Sequence, residues 1–137
     1  MSRRLVIEAD GGSRGNPGPA GYGAVVRDAA TGEVLAERAA AIGTATNNVA
    51  EYGGLIAGLT AALELDPAEV LVRMDSKLVV EQMSGRWQVK HPSMKPLARE
   101  AAALISQLPA LALTWIPREE NEHAARLPLA VSPTANR

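Results

Sequence analysis

The sequence has no cysteine and no phenylalanine, and only two Trp and two Tyr among its 137 residues. Without thiols there can be no disulfide, no thiolate metal site and no thiol nucleophile. With so few rings, the core has to be filled by Leu, Val and Ala, the last supplying 25 residues. An excess of charge is missing too. Fourteen basic side chains face fifteen acidic ones, a net charge of −1, so no global field marks a nucleic-acid binder and any such function rests on a local patch. No apolar run is long enough to span a bilayer. Glu8 and Asp10 cut the stretch after Arg3-Arg4 too short for a signal-peptide core, so the expected setting is the cytoplasm, without a membrane partner. Histidine is scarce: His91 and His123 are isolated, lack metal-ligand spacing and read as surface or capping residues. There is no G-x-S-x-G and no defensible Ser/His/Asp arrangement. At 47% hydrophobic the chain is still apolar enough for one packed domain, one that buries about two-thirds of its unfolded surface.

Residues 3–9 alternate, with Leu5, Ile7 and Ala9 on one side, and predict a strand. The glycine- and proline-rich stretch from Asp10 to Gly21 follows and reads as irregular. Residues 22–27 and 33–41 predict two more strands, completing an antiparallel meander. Thr46-Asn47-Asn48 supplies a helix start, with Glu51 three residues after Asn48 as a capping box wants. That helix runs to Asp66-Pro67, and Gly53, Gly54 and Gly58 in it imply that it lies close against another backbone. Residues 70–74 predict a buried strand, 76–83 a helix, 84–93 a loop, a helix from Pro96, a strand at 111–116 and helix at 119–127. Pro128 and Pro133 then stop regular structure. The expected domain covers 1–127, with 128–137 a tail or linker. The order βββαβααβ implies an α/β (α+β mixed) fold in which helices pack on a mixed sheet.

Only four Asp occur, at 10, 28, 66 and 75. Asp28 and Asp66 fall in predicted turns, where Asp is common for local reasons. Asp10 and Asp75 each end a hydrophobic strand, at the rim of the core, where charge is costly without a compensating cation. Each alone reads equally as a cap or strand terminator. Together with Glu51 in the first turn of a helix, they form a candidate all-oxygen site for Mg²⁺ or Mn²⁺. The glycine-rich stretch lacks a P-loop lysine; it is a tight hairpin connection, or a backbone that a polymer can approach closely. Thr46, Asn47 and Asn48 read as caps or as a phosphate site at a helix N-terminus. Between 76 and 118 there are six cations (Lys77, Arg86, Lys90, Lys95, Arg99, Arg118) against Glu81 and Glu100. With Trp87 among them, that loop suits a sugar-phosphate chain as well as a solvated face.

These pieces in this order resemble ribonuclease H type 1. The resemblance spans residues 5 to about 127 and rests on IEADGGSRGNPGPAGYGAVV (7–26), ATNNVAEYGGLIAGL (45–59), MDSKLVVEQMSGRW (74–87) and WIPREENEHA (115–124). It implies a five-stranded mixed sheet, a three-stranded antiparallel meander plus parallel strands, with helices on both faces. It implies endonucleolytic cleavage of the RNA strand of RNA–DNA hybrids, leaving 3′-hydroxyl and 5′-phosphate ends, by four carboxylates and two Mg²⁺, with Mn²⁺ able to substitute. Asp10 matches the carboxylate that bridges both metals, and Glu51 and Asp75 match ligands of the leaving-group-side metal. Asn16 and the backbone of Gly11, Gly12 and Ser13 match readers of RNA 2′-hydroxyls. Thr46, Asn47 and Asn48 match positions around the DNA strand and its phosphate, Asn48 also near the scissile side. Lys77 stands where some relatives carry Gln and offers phosphate contact in place of ribose contact. Arg86, Trp87, Lys90 and Arg118 complete the expected substrate-binding set.

The resemblance has three departures. Residues 84–96 are too short for the basic protrusion of some bacterial members. The loop before the last helix carries Arg118, Glu119 and Glu120 where many members place a His. The pattern Asn-x-x-Ala-Asp-x-Leu-Ala reads Asn121-Glu122-His123-Ala124-Ala125-Arg126-Leu127-Pro128, so the fourth carboxylate position is Ala125. Glu122, three residues earlier and on the same helical face, is a candidate replacement ligand; the plainer reading is a solvated charge stabilised by the helix dipole. The expected protein is thus a monomeric hybrid nuclease impaired at one metal position. The alternative is a hybrid-binding module with weak or no turnover. Other double-stranded nucleic acid is a further candidate partner.

Overall fold

The computed structural model describes residues 3–124. Three antiparallel strands come first: β1 (Arg4–Ser13), β2 (Gly18–Asp28) and β3 (Val34–Ala45). They are followed by helix α1 (Asn47–Leu63), strand β4 (Glu69–Met74), helices α2 (Lys77–Met83) and α3 (Lys95–Ile105), strand β5 (Leu111–Trp115) and a 3-10 turn at Arg118–Asn121. The sheet order is β3-β2-β1-β4-β5. β1 pairs antiparallel with β2 and parallel with β4, and β4 pairs parallel with β5. This is the expected meander extended by parallel strands.

Alternation along β1 decides what lies on each face. Leu5, Ile7 and Ala9 are fully buried with Val70, Val72 and Met74 of β4, under Leu55, Leu59 and Ala62 of α1. α3 packs on the outside of α1, and the Tyr52 hydroxyl of α1 donates to Gln82 Oε1 of α2 at 2.7 Å. Burial pushes that phenol up to about 12. Glu8 projects from the opposite face and is itself buried. It accepts from Arg27 Nε at 2.9 Å and Arg73 Nη1 at 3.1 Å. Arg73 also pairs with Glu120, and Arg27 meets His123 Nδ1 at 2.7 Å while His123 Nε2 pairs with Glu37. Residues 118–124 are thereby fastened to the second face by charge.

Four sequence expectations are corrected. The stretch 10–21 is mostly strand: Gly11 pairs with Tyr22, Gly12 with Gly21 and Ser13 with Ala20, leaving residues 14–17 for the turn. Gly11 is there because α1 rests on it; a Cβ would lie 2.2 Å from the Ala50 carbonyl carbon. In the same way a Cβ on Gly54 would lie 2.9 Å from the Asp10 carbonyl oxygen, which is the close approach that the helix glycines implied. Second, the N-cap of α1 is Thr46, whose hydroxyl accepts from Val49 N at 3.2 Å, so Glu51 is no capping-box partner. Third, Asp10 does not end its strand but sits inside β1. The expected helix at 119–127 is a 3-10 turn to Asn121 and helical over 122–124; Ala125 and the expected tail lie outside the described residues.

Candidate active site

Strand register builds the site. Ala9 of β1 is the parallel partner of Met74 in β4, so Asp10 and Asp75, one residue on, arrive side by side. Gly11 then lets the N-terminal part of α1 settle on β1 and deliver Glu51, which falls in the second turn and not in the expected first, to the same corner. One carboxylate oxygen from each of Asp10, Glu51 and Asp75 can be chosen so that all lie within 4.8 Å of one another.

The cluster is buried and under-satisfied. Asp10 is 3% exposed, and Asp10 Oδ1 and Glu51 Oε1 are buried without a hydrogen-bond partner. Burial, reinforced by the Asp75 charge, pushes Asp10 up to about 7. Burial, then the charges of Asp10 and Asp75, pushes Glu51 up to about 9. Arg118 offers partial relief: its Nη1 stands 3.5 Å from Asp75 Oδ2 and 3.9 Å from Asp10 Oδ1, close enough to be felt as a charge. Buried carboxylate oxygens left unpaired are costly. Two such oxygens, converging with the Asp75 carboxylate as hard donors, fit a divalent cation of the Mg²⁺ type.

Asn121 is a site residue that the sequence reading did not single out. It is 1% exposed. Its Nδ2 donates to the Ala9 carbonyl at 2.8 Å and to Asp75 Oδ1 at 3.0 Å, while its Oδ1 is buried and unpartnered. It stands four residues before Ala125 within the quoted 115–124 segment, which was the available signal. Glu122, the next residue, is exposed and is not one of the three clustered carboxylates; one residue along a helix turns about 100°, so it and Asn121 cannot both face inward.

The turn at 14–17 is tied to the start of α1. Asn47 Oδ1 accepts from Ser13 N at 2.7 Å, and Asn16 Oδ1 accepts from Asn47 N at 2.9 Å. Ser13, Asn16, Thr46 and Asn47 are therefore one local unit beside Gly11 and Gly12, with Asn48 exposed next to it. The basic set is divided. Lys77 begins α2 next to Asp75, whereas Arg86, Trp87 and Lys90 lie beyond the far end of α2, about 10 Å along for seven residues. All four are exposed, and Arg86 pairs with Glu81. The α2–α3 connection spans only residues 84–94, too short for a basic protrusion.

A mixed sheet of this order, with carboxylates brought together from β1, α1 and the end of β4, defines the ribonuclease H-like class. A family model described as reverse transcriptase-like matches residues 8–128. Bifunctional protein Rv2228c of Mycobacterium tuberculosis is 63% identical over 124 residues, 90% of this chain and 34% of that protein. The structure of its N-terminal RNase H domain, solved as a fusion with maltose binding protein, aligns with a TM-score of 0.94 at 59% identity, covering 98% of this chain and 97% of that one. Ribonuclease HI of Halobacterium salinarum is 41% identical over 118 residues, 86% of this chain and 59% of that protein. LC11-RNase H1, solved in complex with an RNA/DNA hybrid, aligns with a TM-score of 0.88 at 42% identity over 97% of this chain and 99% of that one. The chain belongs to the ribonuclease HI family. It spans about a third of the length of the mycobacterial protein it matches.

Proposed function

We propose that the chain hydrolyses the RNA strand of RNA–DNA hybrids, leaving 3′-hydroxyl and 5′-phosphate ends, at the Asp10–Glu51–Asp75 cluster. The observation that carries this reading is the convergence of three carboxylates, two of which, Asp10 and Glu51, each keep a buried oxygen without a hydrogen-bond partner. Family membership supports it, as do the relatives named ribonuclease HI and the one solved with an RNA/DNA hybrid. Two Mg²⁺ ions, or Mn²⁺ in their place, would supply an activated water and charge stabilisation of the departing 3′-oxygen. Asp10 serves both positions, while Glu51 and Asp75 hold the leaving-group side. Asn121 fixes the Asp75 carboxylate by its Nδ2 hydrogen bond and ties it to β1. Arg118 neutralises Asp10 and Asp75 and is exposed enough to turn toward a phosphate. Gly11, Gly12, Ser13 and Asn16 present backbone and amide groups to ribose hydroxyls, the groups that distinguish RNA from DNA. Ala125 leaves the nucleophile-side position one carboxylate short, which lowers the rate and weakens metal binding there.

The test is product formation on a labelled RNA–DNA hybrid in Mg²⁺, in Mn²⁺ and in EDTA, beside RNA–RNA and DNA–DNA duplexes. Slow, metal-dependent cutting of the RNA in the hybrid, faster in Mn²⁺, is expected, and Ala125→Asp should raise the Mg²⁺ rate at least about tenfold, the scale of one well-placed charged group. Binding of hybrid without cutting under any metal would favour the binding-module reading, for which Ala125 is the motivating residue. Absence of both binding and cutting would overturn the proposal.

A further inference from the structure

The sheet end that carries the carboxylates also carries an exposed indole that the chemistry above does not use. Trp115 closes β5 opposite Met74 and is 46% exposed, in a chain with only four aromatic residues. It is held in place: Nε1–H donates to the Asp75 backbone carbonyl at 3.2 Å, and Lys77 Nζ lies 5.7 Å from the ring centroid. Leaving a Trp this far in water forfeits burial energy, and a pinned ring beside an ammonium is complementary to a nucleotide, with π-surface for a sugar or base and positive charge for a phosphate.

We propose that Trp115 and Lys77 form a nucleotide subsite flanking the cleavage position on the Asp75 side, with the ring packing against a sugar of the strand being cut and Lys77 taking the adjacent phosphate. The inference rests on the hydrolase reading above. Because sugar and phosphate carry no base identity, the subsite adds affinity and register without sequence preference.

Trp87→Phe leaves Trp115 as the sole indole, so its fluorescence reports the subsite directly. In EDTA, where the hybrid stays intact, a saturable change in Trp115 emission on titration with hybrid is expected. Trp115→Leu should weaken hybrid binding and raise KM about tenfold with kcat within a few-fold. Trp115→Phe, which keeps a ring but loses the N–H, should recover most of the affinity. Lys77→Met should lower the slope of log affinity against log salt by about one. The subsite is overturned if Trp115 emission ignores a hybrid that the protein binds. It is equally overturned if Phe and Leu are alike in lowering kcat without changing KM, since Trp115 would then only position Asp75. A wild-type protein that neither binds nor cuts the hybrid would instead sink the hydrolase reading, and the subsite with it.

Discussion

Asp10 and Glu51 hold their protons more tightly in the folded protein than in the unfolded chain, near pH 7 and pH 9 instead of 3.8 and 4.5. Between those limits the native state binds more protons than the unfolded state, so stability of the metal-free protein falls as pH rises from about 4 to 9. Thermal melts in EDTA should therefore show Glu51→Gln gaining several degrees over wild type at pH 8 and much less at pH 5. Adding Mg²⁺ at pH 8 should reverse the order, because the metal substitutes for the protons in the wild-type cluster and the amide cannot hold it as well. A pH-independent difference between the two proteins would contradict a buried, proton-holding Glu51. Asp10→Asn should remove detectable cleavage while hybrid binding in EDTA, followed by anisotropy, stays equal or improves, since one repulsive charge is lost near the phosphates. Loss of folding with loss of activity would make Asp10 a structural residue instead.

At the scale of elements, α1 rests directly on the backbone of β1. Gly11→Ala forces a methyl to within 2.2 Å of helix backbone that cannot swing aside, and should cost about 3 kcal/mol, a drop in Tm of roughly 10 °C. Gly12→Ala, with nothing nearer than 3.8 Å to the new Cβ, should melt close to wild type. The same contact explains what the sequence concealed. Alternation in 3–9 and the apolar run at 70–74 made the element order and the mixed sheet legible. Gly11 imitates a loop residue because a strand pressed beneath a helix and a flexible turn both call for a missing side chain. The cap was misplaced for a similar reason, since Asn48 and Glu51 have the spacing of a box that Thr46 already fills. Asp10, Glu51 and Asp75 were readable from the family pattern, although only Asp75 follows a strand end and Asp10 lies inside β1. Asn121 and Trp115 were not, because what they do is defined by partners in distant strands.

The net charge of the whole sequence is −1, so under the proposed function a polyanion is held locally, by Arg118, Lys77, Arg86 and Lys90. Neutralising about four phosphates predicts a slope near −3 to −4 for log affinity against log salt. A nearly flat dependence from 50 to 200 mM salt, an order-of-magnitude window for such contacts, would remove these side chains from the interface. The second face is organised differently, by Glu8 between Arg27 and Arg73 with His123, Glu37 and Glu120 at its edges. That network seats the segment bearing Arg118 and Asn121.

The hydrogen bond from Asn121 to Ala9 joins positions 112 residues apart. The same amide sets the Asp75 carboxylate, so a residue translated after Asp10, Glu51 and Asp75 fixes how one of them is held. The geometry of the cluster is therefore complete only once residue 121 has docked on β1.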